Sequence, residues 1–167
     1  AHVPEDRQRM GLITEFKANE NLIFGYHHQE PFSKSSVLQE KNILSFSKKV
    51  MGEYDVRPNS PNLITSNFSG GNQQKIILSR ELNKNPKVLL VGQPTRGVDI
   101  GAIEFIHQRL IDMRDKGAAI LLVSVELEEV LSLSDRIVVM FDGNIVGEKV
   151  NKNVTDRELG LLMAGVV

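Results

Sequence analysis

The chain reads as an α/β protein in which a helical subdomain precedes a core built on a parallel sheet. Two observations carry this. Residues 11 to 66 are rich in Asn, Ser, Lys and Glu, whereas residues 87 to 150 hold dense Val, Ile and Leu runs. In that second part, apolar runs too short for helices alternate with stretches of helical periodicity, the order strand, helix, strand, helix, strand of a βαβ core. The expected division is therefore residues 1–86 and 87–167, with no internal repeat and no low-complexity linker.

The elements follow in order. Glu20 to Phe24, Lys34 to Val56 and Gly71 to Leu82 are expected as helices, with Pro31, Pro58 and Pro61 breaking the runs because proline lacks the N–H and clashes with the preceding turn. Ile76, Ile77 and Leu82 mark the buried side of the third. Lys87 to Val91 and Ala119 to Val123, bounded by Gly, Pro or Ser, suit strands buried on both faces of a parallel sheet. Between them Ile103, Ile106, Leu110 and Met113 recur at helical spacing, Asp99 stands as N-cap, and Lys116-Gly117 ends the helix with a cation and a left-handed glycine. Glu126 to Leu133 forms a second such helix with Leu127, Val130 and Leu131 inward. Arg136 to Phe141 and Asn144 to Lys149 make a hairpin closed at Asp142-Gly143. A final helix to Met163 begins with a capping box, Thr155 and Glu158.

Composition excludes several classes. Twenty basic against 21 acidic residues leave a net charge of −1, which argues against a nucleic-acid surface. The absence of cysteine removes disulfides and thiolate chemistry and suits a reducing compartment. The longest apolar run, Ala118 to Val123, is far short of the ~20 residues that span a bilayer. The charged opening Pro4-Glu5-Asp6-Arg7 shows no signal peptide. A membrane role would act through a partner.

The chemistry concentrates in two strings. Ser69-Gly70-Gly71 opens a helix, so its unpaired N–H groups lie at the positive end of the helix dipole, and glycines let a phosphate approach the backbone. Alone this is an ordinary N-cap pattern. It is followed by Asn72-Gln73-Gln74-Lys75, an apolar strand, and then Gly92-Gln93-Pro94-Thr95-Arg96-Gly97-Val98-Asp99. Together these strings resemble the signature motif, Walker B strand and D-loop of ATP-binding cassette (ABC) transporter ATPases. Pro4-Glu5-Asp6-Arg7, Gly11-Leu12-Ile13 and Glu20-Asn21-Leu22 are similar to the opening of the second cassette in two-cassette importers of sugars and nucleosides. Gly101-Ala102-Ile103-Glu104-Phe105-Ile106-His107 looks most like the nucleoside branch. The resemblance runs from residue 2 to about residue 165 and implies part of a P-loop NTPase core joined to a helical signature subdomain.

The same resemblance implies a degenerate site. Gly92 stands where the family has its magnesium-holding Asp, Gln93 where it has the catalytic Glu, and Val125 where it has the switch His. Glu5 occupies the Q-loop Gln position. No Gly-x-x-x-x-Gly-Lys-Ser/Thr loop occurs, and in the family it lies upstream of Pro4, so the chain is expected to begin near the Q-loop. Phosphoryl transfer depends on a metal and a positioned base or water-orienting group. The chain alone is therefore expected to be inactive and to bind no nucleotide tightly. Ser69, Gly70, Gly71, Asn72 and Gln73 would instead complete the site of a partner cassette that holds ATP with Mg, with Asp99 at the D-loop position. The partners implied are that active cassette, as the N-terminal half of the same subunit, and transmembrane permease subunits, at the cytoplasmic face of the cell membrane; nucleic acid is not implied. A sheet edge left open by the missing phosphate-loop strand would also favour self-association.

Plainer readings stand beside these. Asp99 can be an N-cap and nothing more, Glu5 and Arg7 a surface ion pair, and Phe24, Tyr26 and Phe32 either a permease-facing patch or core. His27-His28 reads as a solvated loop, and Glu126, Glu128 and Glu129 as the solvated start of a helix. Two rival functions remain: a working ATPase that recruits Asp99 or Glu126, and an interaction module without nucleotide contact.

Overall fold

Residues 1–166 are described by the computed structural model, and the chain divides into two packing units, residues 1–121 and residues from 122 onward. The first unit runs through β1 (His2–Val3), a π-helical turn (Arg7–Gly11), α1 (Ala18–Ile23), β2 (Ser33–Lys34), β3 (Val37–Leu38) and α2 (Glu40–Glu53). It continues with a 3-10 turn (Thr65–Asn67), α3 (Gly70–Leu82), β4 (Val88–Gly92) and α4 (Ile100–Asp115). β5 (Ala119–Val123) leads into the second unit, which holds α5 (Leu127–Leu133), β6 (Arg136–Phe141), β7 (Asn144–Val150) and α6 (Asp156–Met163).

Two expectations need correction. The helix predicted from Lys34 begins only at Glu40, because Ser35 and Ser36 take φ of 50° and 64°, a turn that closes the β2–β3 hairpin and cannot lie in a helix. The strands expected to be buried on both faces are covered on one: β4 buries Leu89 and Val91 but leaves Val88 and Leu90 exposed, and Leu121 of β5 is exposed as well. The three-stranded sheet includes a strand the sequence did not announce, while β6, expected as its third strand, pairs with β7. β1 pairs parallel with β4, His2 opposite Leu90 and Val3 opposite Val91, giving the strand order β1-β4-β5. Two residues carry no periodicity, so this strand is silent in the sequence. It joins the N-terminus to residues 88–92, which is why the packing units do not divide at residue 86.

α3 is the centre of the first unit. From Gly71 to Leu82 every residue but Asn72 is buried, against α1, α2, α4, β1 and the π-helical turn. Ile76, Ile77 and Leu82 are indeed inside, yet so are Gln73, Lys75, Ser79, Arg80 and Glu81, and buried polar groups need partners. Lys75 Nζ donates to the Asp55 carbonyl at 2.9 Å and pairs with its carboxylate at 3.2 Å. Ser79 Oγ returns a bond to the Ile76 carbonyl. Glu81 accepts from Arg80 Nε and from Lys84 Nζ, both at 2.8 Å. A second anchor is Asn21, wholly buried: its oxygen accepts the Ile13 N–H at 2.9 Å and its amide donates to the Ile13 carbonyl and to Thr65 Oγ1.

The second unit matches its expectations except at Glu129, which was read as part of a solvated helix start and is buried. Asp142 and Gly143 both have positive φ, 45° and 73°, the requirement of a tight two-residue hairpin turn. Ile137, Val139 and Leu159 form its core, with Leu127, Val130 and Leu131 packed against them. The Thr155–Glu158 capping box is formed.

Replacing Leu89, fully buried, with Ala is expected to cost about 2–5 kcal/mol in urea unfolding, whereas Leu90→Ala stays under about 1 kcal/mol. Glu81 gives a pH test. Burial alone pushes its carboxyl up, but Lys84 and Arg80 outweigh that and hold it below its ordinary 4.5. A lowered folded pKa contributes stability above pH 4.5 that is lost as pH falls through the folded value. Glu81→Gln should therefore lower stability at neutral pH and flatten the acid-side loss, read by urea unfolding at neutral pH and at about pH 3.5.

Candidate functional site

Ser69, in extended conformation, caps α3: its Oγ accepts the Asn72 N–H at 3.4 Å and the Asn72 side-chain amide at 2.9 Å. Asn72 in turn accepts the Arg57 N–H through Oδ1 at 2.7 Å. Gln73 lies beneath the turn, where its Nε2 donates to the carbonyls of Thr65 and Phe68 and its Oε1 accepts from Gln8. Asn72 and Gln73 thus brace the turn through the protein's own backbone. Ser69 is exposed and Gly70 half-buried, leaving a hydroxyl and backbone at the positive end of a 13-residue helix, a geometry that favours anions.

A side chain at either glycine would crowd its neighbours, which would have to give way. A β-carbon on Gly70 would lie 2.6 Å from Arg7 Nη2 and 3.0 Å from the Gly97 carbonyl oxygen. One on Gly71 would lie 2.8 Å from Asp99 Oδ2 and 3.1 Å from the Ala102 β-carbon. Asp99 therefore stands against the turn, and it also caps α4, accepting the Ala102 N–H at 2.9 Å. The residues of the first string and the end of the second are brought together across nearly thirty positions.

The segment 4–11 is the third wall. Asp6 accepts the N–H groups of Gln8 and Arg9 and so starts the π-helical turn. Glu5 and Arg7 do not pair with each other. Glu5 binds the Arg96 guanidinium at 2.5 Å, and Arg7 donates to the carbonyls of Arg96 at 2.7 Å and Gly97 at 3.3 Å. These contacts span about 90 positions, and no local pattern announced them.

At the end of β4 the chemistry is thin. Gln93 takes a left-handed φ of 45°, which costs a residue with a side chain about 1–2 kcal/mol, and such strain gathers at functional corners. A β-carbon on Gly92 would lie 3.2 Å from the Glu5 backbone nitrogen. Mg²⁺ is bound through carboxylates, phosphate oxygens and waters in near-octahedral geometry. Here the adjacent carboxylate, Glu5, is held by Arg96, residue 92 has no side chain, and residue 93 offers a neutral amide. These residues do not fit the metal. Among the described residues no three His, Cys, Asp or Glu side chains gather where they could hold one. Val125, in the second unit, is exposed and precedes α5, where Ser124 Oγ accepts the Glu126 N–H at 3.0 Å.

The aromatic candidates separate. Phe32 is core, packed with Ile23 and Ile43, and Phe24 is exposed. Tyr26 meets Phe32 edge-on at 5.5 Å, and burial pushes its hydroxyl up to about 12. Tyr26, Phe32, Phe46, Asn83 and Lys84 line a cleft of about 540 Å³. His27 and His28 lie edge to face at 5.7 Å.

No protein-family model matches the chain. Among solved structures, a dimeric ATP-binding cassette in a post-hydrolysis state bound to ADP and phosphate superposes with a TM-score of 0.70 over 92% of this chain and 63% of its own length, at 23% identity. The fold is that of an ATP-binding cassette. The sequence is similar over 98% of its length to two curated relatives. They are the nucleoside import ATP-binding protein NupA of Lactococcus lactis, 48% identical, and the guanosine import ATP-binding protein NupO of Bacillus subtilis, 45% identical. The ribose import ATP-binding protein RbsA of Streptococcus agalactiae is 37% identical over 96% of the chain. The chain spans about a third, 32%, of the length of each of these three relatives.

Asp99 offers a test of cassette geometry by stability alone. Asp99→Ala is expected to cost about 0.5–2 kcal/mol in equilibrium unfolding through loss of the cap, while Asp99→Asn, an equally good cap, leaves stability unchanged.

Proposed function

We propose that this cassette is the C-terminal, catalytically degenerate half of the ATP-binding subunit of an importer, with nucleosides as the favoured cargo and sugars as the alternative. One observation carries the reading: a well-formed Ser69-Gly70-Gly71 turn, backed by Asp99, coexists with a β4 end that offers neither metal ligand nor base. A protein that had lost all nucleotide contact would have no need of the first. A self-sufficient ATPase could not do without the second.

The division of labour follows from the chemistry. Ser69 and the amides of Gly70 and Gly71 meet the phosphates of an ATP whose Mg is held by a partner cassette, the N-terminal half of the same subunit. Asn72 and Gln73 hold the turn in shape through the backbone. Asp99 lines the same face at the D-loop position, and Glu5 stands at the Q-loop position. This chain supplies neither nucleophile activation nor metal, so it hydrolyses nothing alone and binds ATP weakly. Asp99, rather than recruiting a magnesium ion, is engaged as a helix cap.

Nucleosides are preferred because the relatives named for nucleoside and guanosine import are more identical to this chain than the ribose relative. No described helix is long and apolar enough to cross a membrane. The subunit would therefore work at the cytoplasmic face through permease partners, with exposed Phe24 and the cleft beside Tyr26 as their contact. The open edge of β5 fits a sheet that a phosphate-loop strand completes, and the exposed Val88, Leu90 and Leu121 fit a sheet face that a further layer would cover; in isolation both would favour self-association.

The test is ATP turnover by the full two-cassette subunit carrying Ser69→Arg. A fall of about a hundredfold with ATP still bound is expected, the size lost when positioned donors are removed from a charged transition state. Unchanged turnover would mean that the turn serves no nucleotide. The 167-residue chain alone should show no turnover with Mg and ATP.

A further inference from the structure

We infer that Arg7 is a positioning residue that locks the signature turn to the loop at 96–99, and that residue 70 is glycine in order to admit its guanidinium. The inference rests on the reading above, that this turn meets a nucleotide.

The guanidinium presents a planar fork of donors, and two arms are spent on successive carbonyls, Arg96 at 2.7 Å and Gly97 at 3.3 Å. The same Nη2 arm lies 2.6 Å from where a β-carbon of Gly70 would sit, and the Gly97 carbonyl lies 3.0 Å from that point. Arg7 and the carbonyl it binds thus form one surface against which the bare Gly70 backbone rests. Gly97 has φ of +65°, a conformation that holds its peptide in this place without a side-chain penalty.

The base of the arm is held as well. Asp6 caps the turn that carries Arg7, and Gln8 reaches the buried Gln73 beneath the signature turn. Glu5 grips the side chain of Arg96 while Arg7 grips its carbonyl, so the same residue is held at both ends by neighbours two apart. Segment 4–8 is thus bonded to residues 96 and 97 through Glu5 and Arg7 and to Gln73 through Gln8, with Arg7 packed against Gly70. A displacement of this segment is passed to the turn and to Asp99 through Arg7, whose role is geometric: it sets where the donors stand. It is not a catalytic residue.

The experiment uses the full two-cassette subunit and a double-mutant cycle on Arg7→Ser and Gly70→Ala, with kcat and KM for ATP measured together. Arg7→Ser should lower kcat roughly ten- to a hundredfold with KM little changed, because misplacement of donors by about 1 Å costs that much while the partner cassette still binds ATP. Arg7→Lys should behave like Arg7→Ser, since a lysine keeps the charge but cannot bond both carbonyls. Full activity in the lysine variant overturns the positioning role. Gly70→Ala alone should lower kcat much as Arg7→Ser does, because the arginine end must give way, but added to Arg7→Ser it should cost much less, since only the Gly97 carbonyl still crowds it. An equal penalty in both backgrounds overturns the inference. If Ser69→Arg leaves turnover unchanged, the parent reading has failed. The inference is then judged by the thermal midpoints of the same four proteins, where additive shifts overturn it and a smaller Gly70→Ala shift without Arg7 supports it.

Discussion

The first unit depends on burying one helix almost completely while that helix carries polar side chains on every side. Gly71 to Leu82 is enclosed apart from Asn72, and Gln73, Lys75, Ser79, Arg80 and Glu81 go inside with the aliphatic residues. Leaving any of them unpaired would cost a large part of the stability of a domain this size. Lys75 is met by Asp55, Gln73 by the carbonyls of Thr65 and Phe68 and Glu81 by Lys84, while Ser79 and Arg80 find partners within α3 itself. The surrounding loops are placed by these obligations.

The Ser69-Gly70-Gly71 turn benefits from that arrangement. Its N-terminal amides are held still because the helix behind them is anchored along its length, and Gln73 secures the loop immediately before them. The two glycines sit closely against Arg7 and Asp99, whose side chains would have to shift to admit a β-carbon. Binding donors fixed in advance lose little by reorganising when charge arrives. At the end of β4 the contrast is sharp. There the Glu5 backbone has come close to residue 92, and the Glu5 carboxylate forms an exposed ion pair with Arg96. One end of the site offers amide and hydroxyl donors at a helix N-terminus, and the other offers no side-chain carboxylate at residues 92 and 93.

Much of this was legible residue by residue. Asp99 and Thr155 cap their helices because a short acceptor side chain before an apolar periodicity leaves little else for them to do. Asp142-Gly143 turns because few other pairs accept positive φ twice. The helix expected from Lys34 failed at Ser35-Ser36, where serine has no strong preference and the tertiary fold selected a hairpin. The strands expected to be covered on both faces were misjudged because an apolar run reports what it would bury, and Val88, Leu90 and Leu121 have no cover among the described residues.

What the sequence alone determined is the groups present: a Ser-Gly-Gly turn at 69–71, a Gly92-Gln93 pair without a carboxylate at the end of β4, and helix and hairpin ends written in local capping and turn residues. Those are short-range effects, set within one or two turns of chain. The tertiary structure decided which of these groups meet. That Arg7 reaches the carbonyls of residues 96 and 97, that Glu5 pairs with Arg96 and not with Arg7, and that His2-Val3 is a strand beside β4 all depend on contacts across about 90 positions. Such contacts leave no periodicity to read, because their partners are chosen by the packing around α3 and not by their neighbours in the chain.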